Sequence, residues 1–197
     1  MSSVAPKLAL AISALSSPFI VVIVFPLWII ASYAPNSIDR WQWSLTWIIL
    51  AALIPFLYIW WGVQSGRFTD FHVMQREQRG EPFLVAIASA LILVMVYFMM
   101  GVPGALLALA ISLFVNGIVF LFITVIWKIS IHAAALAGSV VTVALLIDPR
   151  WLWLLILVPL IIWARAIRHR HNIWQGVLGA LTVTIVTYLV FYGLGFA

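Results

Sequence analysis

Long apolar runs alternate with short polar breaks along the whole chain. Spanning about 30 Å of hydrocarbon takes about 20 residues of helix, so runs of this length predict membrane-crossing helices. The pattern predicts an all-α polytopic membrane protein of about seven transmembrane helices, six to seven, in one bundle. Residues 1–197 read as a single transmembrane helical domain with no separate soluble part. The spans run from about Leu8 to Tyr33, Trp41 to Val63, Phe83 to Met100, Ala105 to Trp127, Ser130 to Ile147, Trp151 to Ala164 and Asn172 to Phe196.

Local signals refine these spans. Ser16, Ser17, Pro18 and Pro26 predict bends in the first, which neighbouring helices make tolerable by satisfying the freed backbone groups. Trp41, Trp43, Trp60 and Trp61 flank the second, at the interface depth that indoles favour. The turn Gly101-Val102-Pro103-Gly104 makes the third and fourth an antiparallel hairpin. Asn116, at mid-depth, predicts an interhelical hydrogen bond, and Ala133, Ala134, Ala137 and Gly138 give the fifth span a small-residue face for close packing.

Composition agrees: 66% of residues are hydrophobic, 8% are charged and mean hydropathy is +1.21, outside the range of soluble domains. Cysteine is absent, which excludes disulfides and thiolate metal sites. The first apolar run is long enough to span and lacks a small-residue cleavage site, so it reads as a retained helix. The net charge of +5 points to topology or anionic headgroups rather than nucleic acid.

The polar residues are unevenly spread. The segment 66–82 holds Arg67, Asp70, His72, Arg76, Glu77, Arg79 and Glu81, and reads as a surface segment with room for a short helix. With seven spans it falls on the same side as Lys128–His132 and Arg165–His171. Lys7, Arg67, Arg76, Arg79, Lys128, Arg165, Arg168 and Arg170 share that side, against Arg40 and Arg150 opposite, so the positive-inside rule makes it cytoplasmic. A phosphate site would itself collect basic residues on whichever side it faces.

Ionisable side chains are expensive at membrane depth, and the cluster Arg165-Ala166-Ile167-Arg168-His169-Arg170-His171 marks a solvated junction or a functional pocket. Its spacing is informative: Arg165, five residues, His171, three residues, Gln175. This resembles the third signature of the type 2 phosphatidic acid phosphatase and vanadium haloperoxidase superfamily, with Ala164 for its Ser and Gln175 for its Asp. Lys128-Ile129-Ser130-Ile131-His132 resembles the second signature, keeping Ser and His but carrying Ile129 and Ile131 for Pro and Gly. His72, six residues, Arg79 echoes the spacing of the first, with His72 for Lys and Gly80 for Pro. The resemblance covers about residues 67–179.

It implies a membrane-embedded phosphatase acting on a lipid phosphate or prenyl diphosphate, with membrane lipids as its surroundings and no metal or other cofactor. His171 would be the nucleophile forming a phosphohistidine, and His132 would protonate the leaving alkoxide. Phosphoryl transfer needs donors around the equatorial oxygens. Arg165 would offer a planar fork, Lys128 a point charge, and Ser130 an N-cap turning the Ile131 and His132 amides toward an anion. Arg76, Arg79 and His72 complete the expected phosphate ligands. His171 and Gln175, at i and i+4, are expected to share a helix face. A Gln carbonyl fixes the imidazole tautomer but brings no charge to stabilise its cation, so attenuated catalysis is expected.

A second reading is a non-catalytic transmembrane subunit of a larger complex, associated with pigments, quinones or lipids, for which Gln175, Ala164 and the eleven Trp speak. There His132 would hold a structural hydrogen bond or ligate a pigment magnesium. His169 reads as a surface residue, and the sequence shows no nucleotide loop, Asp-rich diphosphate motif or nucleic-acid module.

Overall fold

The computed structural model describes residues 4–71, 73 and 75–197, with the main chain alone at Arg76. Among the described residues there is no strand, and the chain folds as an all-α bundle. Helices α1 (Val4–Leu15) and α2 (Pro18–Tyr33) meet at 48°. The expected bend is therefore a break, because Pro18 has no N–H to continue the ladder and instead opens a new helix. Pro26, inside α2, frees the Val22 carbonyl, which accepts from Trp47 Nε1 at 2.7 Å.

Helix α3 (Ser37–Gln64) begins before the expected Trp41 because Asn36 caps it, accepting from the Asp39 N–H at 2.9 Å. Its middle widens into a π turn at Ile48–Leu53. Pro55 explains this, since its ring clashes with the Ala51 carbonyl in a regular helix. Helices α4 (Gly80–Met99) and α5 (Gly104–Ile126) form the expected hairpin, with Gly101 at φ +64 in the turn. Then follow α6 (Ile131–Leu146), α7 (Pro149–Ile167, a 3-10 helix as far as Ile156) and α8 (Ile173–Gly193). Helix α7 continues past the expected end at Ala164, so Arg165 is helical.

Five of the described helices are long and apolar enough to cross a membrane, and the bent pair α1–α2 makes a sixth candidate. Helix α6 is shorter but is the hub, packing against α2, α7 and α8. Its small face does what the sequence suggested. Ala133, Ala137 and Val140 are buried, and a Cβ on Gly138 would lie 2.7 Å from Val183 Cγ2 of α8. One core gathers Ile29, Trp47, Leu93, Tyr97 and Leu106, and a second gathers Ile129, Ala133, Ala137, Ile161 and Val183. Asn116 makes its interhelical bond, donating to Thr187 Oγ1 of α8 at 3.2 Å.

Candidate functional site

The three polar segments converge at one end of the bundle. The segment 66–79 is mostly turn, with a single 3-10 turn at Arg76–Gln78 in place of a surface helix. Arg67 clamps it with a forked bond to Glu81 at 3.0 and 2.9 Å, above the Trp61 ring. Val73, a buried β-branched residue at φ +44, occupies a costly backbone region. Its carbonyl accepts from Arg79 Nε at 2.8 Å, while Arg79 Nη1 donates to the Ile129 carbonyl at 3.1 Å. Arg79, expected as a phosphate ligand, thus first ties this segment to the α5–α6 junction. Burial lowers its pKa, with Asp70 opposing. His72 lies outside the described residues, and Arg76 is placed by its main chain alone.

The α5–α6 junction rests on α8. The Ser130 N–H donates to the Gln175 carbonyl at 3.0 Å. The two chains approach so closely that a Cβ on Gly179 would lie 2.9 Å from the Ser130 oxygen. Ser130 occupies the N-cap position of α6, but its side chain makes no cap bond, and its fully buried Oγ has no partner among the described residues. The expected cap is therefore positional only. Lys128 is half-buried beside it; burial first, then the Arg79, Arg165 and Arg170 guanidiniums, lower its pKa.

His171 precedes α8, outside the helix, which corrects the expectation that it shares a helical face with Gln175. A capping box joins Asn172 and Gln175 instead. Asn172 accepts from the Gln175 N–H at 2.8 Å, and Gln175 Oε1 accepts from the Asn172 N–H at 3.2 Å. His171 Nδ1 lies 3.0 Å from the same oxygen. An oxygen already taking a main-chain N–H is an acceptor, so Nδ1 carries the imidazole proton and Nε2 keeps its lone pair. Burial, reinforced by the Arg165 guanidinium and opposed by the Gln175 bond, pushes the His171 pKa down to about 3. The imidazole is neutral at physiological pH.

Arg165, only 2% exposed, projects from the last turns of α7. Its Nη1 donates to Ser13 Oγ of α1 at 2.7 Å and lies 3.4 Å from His132 Nε2, while its buried Nε has no partner among the described residues. A guanidinium only donates, so in this contact the His132 Nε2 is the acceptor. The ion pairs between described side chains, Arg67 with Glu81 and Arg150 with Asp148, leave Arg79 and Arg165 without a carboxylate at bonding distance among the described residues.

Arg79, His132, Arg165 and His171 line one cavity of about 300 Å³. The rest of its wall is mainly apolar, including Phe19, Phe83, Leu113, Phe120 and Val183, and it reaches Asn116 of α5. Ten residues of helix separate Asn116 from the end of α5 at Ile126, a depth of about 15 Å. Ser130, Lys128 and Gln175 stand behind this wall rather than in it. His169, exposed at φ +52, instead borders an open apolar groove of about 520 Å³ between α7 and α8.

Sequence reasoning gave no site role to two residues here: Ser13, and Arg168, which it placed only within the basic cluster. Arg168 Nη1 donates to Ser13 Oγ at 2.8 Å. Ser13 gave a weak signal, a hydroxyl within an apolar run, and nothing local tied it to a residue so distant in the chain. Among the described residues no three His, Asp or Glu side chains gather as a metal site. Chemically the arrangement presents buried guanidiniums and a neutral imidazole on the wall of a mainly apolar chamber. Comparison of the chain with known protein families, with curated proteins and with solved structures yields no match, so the reading of this site rests on its own geometry.

Proposed function

We propose that the chain is a membrane-embedded, metal-independent phosphatase of the type its signatures resemble, acting on a lipid phosphate or prenyl diphosphate. The observation that carries this reading is a cavity lined by Arg79, Arg165, His132 and His171 with a mainly apolar remaining wall. Such a chamber matches an amphiphile with an anionic head and a hydrocarbon tail.

His171 Nε2 attacks phosphorus, the bond to the leaving oxygen breaks, and His132 delivers a proton to that oxygen. Water then attacks the phosphohistidine, giving its proton to His132 and releasing inorganic phosphate. Arg165, which lines the cavity, holds the equatorial oxygens through its guanidinium N–H donors. Lys128 and the first-turn amides of α6 add positive potential from behind the wall. His132 enters this cycle from a neutral state in contact with Arg165, so it must gain its proton when the anionic substrate arrives. Gln175 holds the tautomer but leaves the developing imidazolium uncompensated, which sets a slow chemical step. The site faces the cytoplasm in this reading, on the side holding eight of the ten Lys and Arg.

The test is release of inorganic phosphate from phosphatidic acid, phosphatidylglycerol phosphate and polyprenyl diphosphates by the detergent-purified chain. Turnover should vanish in His171→Ala and rise in Gln175→Asp, whose carboxylate stabilises the imidazolium. No release by any of the three proteins would leave the non-catalytic subunit as the better account.

A further inference from the structure

Ser13 is the least expected member of the cluster. It sits on α1, is 1% exposed, and accepts from Arg165 Nη1 at 2.7 Å and from Arg168 Nη1 at 2.8 Å. One neutral hydroxyl therefore holds two guanidiniums together against their mutual repulsion. It stands outside the cavity wall, behind Arg165, which does line the cavity. Nη1 is held by Ser13 while lying 3.4 Å from His132 Nε2, and Nε has no partner among the described residues.

We propose that Ser13 is a positioning residue of the anion site: its hydroxyl anchors the back of Arg165 so that the rest of the guanidinium is aimed at an incoming phosphate oxygen. This rests on the anion site of the proposed function, but not on its catalysis. A long, flexible arginine loses less on binding when its orientation is already fixed. Helix α1 is then part of the site rather than a peripheral span. It packs on α7, the helix that carries Arg165.

The test measures binding of inorganic tungstate, a phosphate-shaped anion, to the full-length chain in detergent by titration calorimetry, alongside thermal stability. Ser13→Ala should weaken binding about tenfold, the scale of one charge-assisted hydrogen bond. Ser13→Thr, which keeps the hydroxyl, should restore it. Ile12→Ala supplies the structural control, because Ile12 packs α1 onto the core and has no side-chain polar atom to offer either arginine. It should lower stability and leave tungstate affinity within about twofold of wild type.

Wild-type affinity in a stably folded Ser13→Ala protein would overturn the proposal. So would equal losses in Ser13→Ala and Ile12→Ala, which would reduce Ser13 to a docking contact, or an absence of tungstate binding by the wild type. If the wild type binds tungstate in this pattern yet releases no phosphate from lipids, positioning stands and the catalytic reading falls.

Discussion

At the residue scale, His171 links structure to pH. Its pKa of about 3 lies below the ordinary histidine value. Between the two values the unfolded chain binds a proton that the folded chain refuses. Stability is therefore full above about pH 6.5 and is lost as pH falls toward 3, at up to about 1.4 kcal/mol per pH unit. Unfolding of the purified protein should begin at lower temperature on acidification through this window, and His171→Gln should flatten that dependence. A flat wild-type profile would contradict the buried neutral imidazole. Much of this residue's setting was legible: the spacing to Gln175 predicted a contact, and the contact is there. Its form was not, because the capping residue Asn172 was read as the start of a span rather than as half of a reciprocal cap. Arg79 was less legible still. Its two main-chain bonds depend on how the 66–79 segment turns, and no hydrophobic period encodes that.

At the element scale, the site depends on how closely α8 approaches the α5–α6 junction. A methyl on Gly179 would meet the Ser130 carbonyl, a main-chain atom with little room to move. Gly179→Ala should cost about 1–3 kcal/mol of stability, as overpacking does, and weaken tungstate binding together with it. Gly193→Ala, at the open end of the same helix, should be neutral by both measures, since nothing lies within 4 Å of the added atom. Asn116→Leu should lower stability by about 0.6 kcal/mol, the average for such bonds in membrane bundles, through loss of its bond to Thr187. Span placement was readable because apolar length and interfacial Trp report it directly. The breaks were harder to place: a proline can be carried within a helix, widen it or end it, and Pro26, Pro55 and Pro18 each do a different one of these.

At the scale of the whole molecule, the bundle gathers its polar junctions at one end and leaves Asn36–Arg40 and Asp148–Arg150 at the other. The chain has no cysteine, so single cysteines at Ile38 and His169, both exposed, report sidedness cleanly. A membrane-impermeant maleimide should label the two from opposite faces, with position 169 reached from the cytoplasm. Labelling of both from one face would break the topology. The sequence foresaw this grouping of polar segments but not the chamber beneath it, because a cavity is what six or more helices leave unfilled and belongs to none of them. The central claim is that the chamber serves phosphoryl transfer through His171. Its most direct measurement is mass spectrometry of the protein quenched at alkaline pH during incubation with a short-chain phosphatidic acid. The account predicts a phosphate adduct of about 80 Da on His171 in the wild type, and much less of it in the His132→Ala variant, which lacks the acid for the leaving oxygen. An unmodified His171 in both proteins, under conditions where the lipid is bound, would contradict it.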